Sequence, residues 1–349
     1  MDGGDQSGRS MGRTVTPRRA LARTQSPKPS RTTGGPGVDM EPLVLALGDS
    51  DVERAREAAS AIRSSLKNNP DNKARLLAAG GIDALIRLLK SRDTSCVDHA
   101  VTALLNLSLS DGVEPMVTAA GGIEGIVGVL NSGSNVAREN AAAALFTLSG
   151  PPDNKLRVKD AGAVPGLVTL LRTGSLRGKK DAALALFNLS LEDSCIGEII
   201  DAGAVRVLLG LLRSDAEAGM EDKVMAVVAN LCKFSEGRHA VHKEGGIHAL
   251  VGVIESGSAR AKEDAAVSLH LLAVHNAASY QVIVEEGCSP ALAKLAQSGT
   301  TRAKAKAKAL MDLLRSGSGS AGGFKYGGSF SQPFDKAPPT LSGELSHGR

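Results

Sequence analysis

Four positions of this 349-residue chain could carry recognition chemistry at a regular spacing. Asn106, Thr147, Asn188 and Asn230 recur at steps of 41, 41 and 42 residues. An asparagine amide both donates and accepts hydrogen bonds, so a row of them suits the backbone of an extended peptide. Residues four, seven, eight and eleven positions before such a mark share its helical face. Before Asn188 these are Leu184, Asp181, Lys180 and Arg177; before Thr147 they are Ala143, Asn140, Glu139 and Val136. Before Leu271, where the polar row ends, they are Val267, Asp264, Glu263 and Arg260. The expected binding surface is therefore Asn106, Thr147, Asn188 and Asn230, flanked by Glu139, Asn140, Arg177, Lys180, Asp181, Leu184, Arg260 and Asp264. Its charge is mixed and its aromatics are few. The same Asn row could instead bond a neighbouring repeat's backbone and fix the stacking, and the two uses are compatible.

Catalytic chemistry finds no comparable pattern. His239 and His242 stand three apart, but no Cys or carboxylate arrangement completes a metal site around them. His270 and His275 fall at or just after a buried helix, where a core or turn role suits them. There is no phosphate loop, no G-x-S-x-G and no kinase signature. No catalytic residue, metal or cofactor is expected. The cysteines, Cys96, Cys195, Cys232 and Cys288, contain no C-x-x-C and read as reduced, intracellular thiols. Cys232 takes the place of Ser in the neighbouring repeats, as a small buried packing residue would.

The elements that must position the row repeat with it. Ala79-Gly80-Gly81-Ile82 returns as Ala120-Gly121-Gly122-Ile123, Ala161-Gly162-Ala163-Val164 and Ala202-Gly203-Ala204-Val205, then as Glu244-Gly245-Gly246-Ile247. The glycines break a short helix (72–79 in the first copy) from an amphipathic one beginning near Ile82. A turn of Ser, Gly and Thr follows, as at Ser132-Gly133-Ser134 and Thr173-Gly174-Ser175. A long helix, apolar nearly all round, closes the unit and must be buried on several sides. Three helices per roughly 41 residues is the armadillo layout. The predicted fold is all-α, a right-handed armadillo-repeat superhelix of about seven repeats whose long helices line a concave groove. Marks at Ser65, Asn106, Thr147, Asn188, Asn230, Leu271 and Asp312 count the units. The first, 39–69, lacks its short helix and reads as a cap. Lys304, Lys306 and Lys308 give the last unit a solvated outer face. An insertion near 215–219 accounts for one 42-residue step.

Residues 1–38 and 316–349 read as disordered tails, the first rich in Ser, Arg and Pro, the second in Gly and Ser, flanking a repeat domain at 39–315. The net charge of +4 divides as +5 in the first tail, +1 in the second and −2 in the repeats. A basic balance confined to tails does not predict a nucleic-acid-binding body. No apolar run approaches a membrane span, and the acidic start without an apolar h-region argues against a secretory signal. A protein or peptide partner is expected, with no nucleic acid or small-molecule substrate, in cytoplasm and/or nucleus.

The run Arg177-Gly-Lys-Lys-Asp-Ala-Ala-Leu-Ala-Leu-Phe-Asn-Leu-Ser190 resembles the central armadillo repeats of the plant U-box E3 ubiquitin ligases. The resemblance continues through Ala218-Gly-Met-Glu-Asp-Lys223, Val228-Ala-Asn-Leu231, Glu236-Gly-Arg238 and Ser258-Ala-Arg-Ala-Lys-Glu-Asp264, and covers roughly residues 70–315. Importin-α is less similar: the Trp it carries four residues before each Asn is replaced here by Thr102, Ala143, Leu184 and Ala226. In those ligases a U-box precedes the repeats and recruits the ubiquitin-conjugating enzyme. Only 38 residues precede the array here, too few for such a core. The resemblance therefore implies a substrate-binding arm, possible ubiquitin-ligase substrates as partners, and no nucleophile to carry over.

Overall fold

All but one of the long helices start on a side-chain cap; the helix that begins at Glu221, behind Met220, has none. In the computed structural model, which describes residues 37–67, 69–214 and 219–317, Ser134, Ser175, Ser258 and Thr300 each accept the amide three residues on. Asp93 does the same for Cys96. Caps of this kind contribute about 1 kcal/mol each. The glycine that ends each short helix performs a different task. Gly80, Gly121, Gly162, Gly203 and Gly245 have φ between +66° and +79°, the left-handed region that lets one helix stop and the next start without a loop. Both expected tails and residues 215–218 of the expected insertion lie outside the described residues, apart from the tails' inner ends.

Helices α1 (Glu41–Ala46) and α2 (Val52–Leu66) form the first unit. The second holds α3 (Pro70–Ala78), α4 (Gly81–Leu88) and α5 (Thr94–Ser108). The third holds α6 (Glu114–Ala119), α7 (Gly122–Ser132) and α8 (Asn135–Leu148), and the fourth α9 (Pro152–Asp160), α10 (Ala163–Thr173) and α11 (Leu176–Leu189). After a single 3-10 turn at Asp193–Cys195 come α12 (Ile196–Asp201), α13 (Ala204–Leu212) and α14 (Glu221–Leu231). The sixth unit is α15 (Ser235–Lys243), α16 (Gly246–Ser256) and α17 (Ala259–His275). The last is α18 (Ala277–Glu285), α19 (Ser289–Ser298) and α20 (Thr301–Ser316). No strand occurs among the described residues.

The long helices α2, α5, α8, α11, α14, α17 and α20 each pack on the next, making one continuous wall. Helices α7, α10, α13, α16 and α19 form a second layer behind it in the same way. One apolar core runs between the layers from Met40 to Leu310. Buried alanines, such as Ala141, Ala142 and Ala144 in α8 or Ala182, Ala183 and Ala185 in α11, let the wall helices approach closely. The seventh mark differs by one residue from expectation. Asn188 lies thirteen residues after its N-cap Ser175, and the equivalent distance from Thr300 reaches Leu313 rather than Asp312. The step into the last unit is 42 residues, as it is for its glycine.

Candidate functional site

The wall carries two hydrogen-bonded ladders between units. In the first, an acid near the start of one long helix holds the N-cap of the next. Asp98 Oδ1 accepts from Ser134 Oγ at 2.7 Å, and Glu139 Oε1 from the Ser175 amide at 3.2 Å. Asp222 accepts from Ser258 Oγ, and Glu263 Oε2 from Thr300 Oγ1 at 2.6 Å. At the first interface the polarity reverses: Arg56 Nη2 donates to the capping Asp93 at 2.8 Å. Sequence reasoning missed this ladder, although acids five residues after the caps Asp93, Ser134 and Ser258 were a readable signal; Asp222, two residues after Met220, breaks that spacing.

The second ladder uses part of the Asn row. Asn188 is 5% exposed, and its amide donates to Phe146 O (2.9 Å) and Ser149 Oγ (3.1 Å) of the preceding unit. Asn230 is also buried; it donates to Ser190 Oγ at 2.9 Å and accepts from Lys233 Nζ at 2.7 Å. In turn Ser149 and Ser190 donate to their own helices at Phe146 O and Phe187 O. The relay needs a Ser just past the preceding mark. Cys232 stands there before Leu271, so the last polar mark and the last relay Ser disappear together. The preceding unit offers Asn106 no such Ser, and the half-exposed Asn106 has no protein partner among the described residues. Thr147 is too short to cross the interface and donates to Ala143 O of its own helix at 3.3 Å.

The flanking residues separate in the same manner. Asn140 is buried between units, donating to Thr102 Oγ1 at 2.9 Å and accepting from Arg177 Nη2 at 2.8 Å. Arg177 remains half-exposed, with its Nε 3.7 Å from Asp181. Burial, reinforced by the Glu139 charge, pushes the Asp181 carboxyl up to about 6 against the opposing pull of Arg177, Lys223 and Lys180. Leu184 and Asp264 are buried and belong to the floor of the wall rather than its rim. Lys180 Nζ lies against Gly219. Arg260 is half-buried, and its Nε is shut from solvent with no acceptor. It borders a recess of about 30 Å³ lined by Phe187, Leu191, Ala226, Ala229, Asn230, Arg260 and Asp264. Beside this recess, burial and the Arg302 charge lower the Lys233 ammonium to about 8, although Asp264 and Asp193 oppose them.

Among the described residues no group of His, Cys, Asp and Glu could hold a metal ion. His242 Nδ1 bonds Ser279 Oγ at 3.0 Å, a contact between neighbouring short helices. All four thiols are buried and unpaired, and burial raises their pKa, Cys232 to about 12.

Residues 40–321 match the family described as the plant U-box protein ARM repeat region. The chain belongs to that family. Within it, this ARM repeat chain is 41% identical over 70 residues to U-box domain-containing protein 14 of Arabidopsis thaliana. That match covers 20% of the chain and 11% of the relative. It is 39% identical over 89 residues to E3 ubiquitin-protein ligase SPL11 of Oryza sativa subsp. japonica, 25% of the chain and 13% of the relative. The matched segments thus span only about an eighth of these curated relatives. An engineered protein from the Northeast Structural Genomics Consortium superposes with TM-score 0.70 at 31% identity, over 79% of this ARM chain and 68% of its own. A designed armadillo repeat protein gives 0.53 at 22% identity, over 79% and 99%, and shares the fold. No helix among the described residues is long and apolar enough to cross a membrane.

Proposed function

We propose that this ARM chain is a protein-binding adaptor without catalytic activity of its own, holding a protein or extended peptide along the wall of its central units. The observation that supports it is a set of donors on that wall with no protein acceptor among the described residues: the Asn106 amide, Lys180, Lys223 and Arg260. Polar groups that stacking uses are buried and hydrogen-bonded, whereas these are partly exposed and make no hydrogen bond among the described residues. Long helices spaced about 8–10 Å apart would each address about three residues of an extended ligand. The ligand is a protein rather than a nucleic acid or a small molecule, met in cytoplasm and/or nucleus. Affinity purification followed by crosslinking tests this. A partner crosslinked along α5, α8, α11 and α14, with capture reduced by Asn106→Ala, supports the reading; crosslinks confined to the opposite layer refute it.

Family membership favours a second reading, in which the chain supplies substrate recognition to a ubiquitin-protein ligase. Incubation of the purified chain with E1, a panel of E2 enzymes and ubiquitin separates the two. The adaptor reading expects no chains from this protein alone, and chain formation would overturn it.

A further inference from the structure

By residue count the wall across α11, α14 and α17 is mixed in charge, but its acids and cations are differently placed. Asp222 and Glu263 accept from the caps of the following helices, and Glu263 also takes Arg302 at 3.3 Å. Asp264 is buried with Lys233 beside it. Asp181 faces three cations, Arg177, Lys223 and Lys180, with one carboxylate. The cations are partly exposed; Lys180 and Lys223 share the charge of Asp181, but neither they nor Arg260 have a hydrogen-bond acceptor among the described residues. Arg260 is the extreme case. Its Nε is sealed from water without a partner, which is costly for a guanidinium, and its terminal nitrogens make no hydrogen bond among the described residues. This cation borders the recess whose other walls are largely apolar, Phe187, Leu191, Ala226 and Ala229, with Leu191 41% exposed. About 30 Å³ holds roughly one water-sized group, the end of an aliphatic side chain.

We propose that this part of the wall selects an acidic extended peptide bearing one aliphatic side chain, which enters the recess while neighbouring carboxylates meet Arg260 and Lys223. The inference rests on the binding reading above and gives that ligand its chemistry. A basic ligand would have to draw the acids away from the helix caps they hold. An acidic one supplies the acceptors the cations lack, and can turn the Arg260 guanidinium out of its unsatisfied pose.

A phage library of random decapeptides selected on the full chain tests it, followed by fluorescence anisotropy with a labelled Glu-rich decapeptide containing one Leu. Selected peptides should be enriched in Asp and Glu around a Leu, Ile or Val. The labelled peptide should bind more weakly as salt is raised. Arg260→Gln or Lys223→Gln should each weaken it about threefold, and the pair about tenfold, with unchanged circular dichroism. Replacing Leu by Ser in the peptide should weaken binding to a similar extent. Selection of basic or neutral peptides, or an acidic peptide indifferent to the double substitution, overturns the acidic preference and leaves the binding reading standing. Failure to select any peptide that competes along the wall removes both.

Discussion

Replacing Asn188 by Ala separates stacking from binding, because the structure assigns its amide two acceptors in the preceding unit. The substitution removes the bonds to Phe146 O and Ser149 Oγ from a site that is 5% exposed. The Phe146 carbonyl retains the Ser149 hydroxyl at 3.1 Å, so it is not left bare. At about 1 kcal/mol net per hydrogen bond, the expected loss is about 2 kcal/mol of unfolding free energy. Asn230→Ala should cost at least as much, since it also deprives Lys233 of an acceptor at 2.7 Å. Asn106→Ala breaks no protein bond and should stay within about 0.5 kcal/mol of the parent. Urea unfolding followed by circular dichroism at one temperature reads all three. Adding Ser149→Ala closes a double-mutant cycle, in which a direct Asn188–Ser149 bond appears as a coupling of about 0.5 kcal/mol or more. The reasoning fails if Asn188→Ala is as stable as Asn106→Ala, or if the coupling vanishes.

Asp181 gives a pH signature. A carboxyl held at about 6 in the fold, against an ordinary 3.8, keeps its proton longer when folded, so its penalty is absent below about pH 4 and complete above about 6. Asp181→Asn should therefore gain stability over the parent across that window, on the order of 3 kcal/mol, measured by unfolding at pH 4, 5, 6 and 7. Two glycine substitutions should fail for opposite reasons. Gly162→Ala meets no atom within 4 Å but keeps φ at +79°, and should cost about 1 kcal/mol. Gly237→Ala places a Cβ 2.0 Å from Leu231 O and should cost about 3 kcal/mol or more, read in the same unfolding assay. The raised, buried thiols should resist a disulfide reagent at pH 8 in the folded protein and react fully in denaturant.

The repeat architecture was legible because period, caps and left-handed glycines are local. Ser134, Gly162 and the all-apolar face of α11 each act within a few residues of themselves. The fate of the Asn row was not, because it depends on the residue one unit earlier. Asn188 and Asn230 meet Ser149 and Ser190, and Asn106 meets no such Ser, yet all three occupy the same place in their own helices. Asn140 likewise looks like a rim residue by periodicity and is a buried link between Thr102 and Arg177. The mark placed at Asp312 rather than Leu313 shows the same limit, since a one-residue longer unit shifts every position counted through it. The recess beside Arg260 draws on three helices and has no signature along any one of them.

The latch between successive caps makes the order of the units a matter of chemistry. Arg56 requires the acidic cap Asp93, whereas Asp98 and Glu263 require the hydroxyl or amide donors of Ser134 and Thr300. Moving the third unit directly behind the first would set a hydroxyl against the guanidinium and lose an ion pair. Setting the second unit behind the sixth would bring the carboxylate of Asp93 to Glu263, charge against charge. Where the latch is present the units are thus keyed rather than interchangeable bricks; the junction between the fourth and fifth units, capped by Met220, carries no such latch among the described residues. Duplication or deletion of a unit therefore carries a cost of about 1 kcal/mol at each junction where the new neighbours lack matching keys.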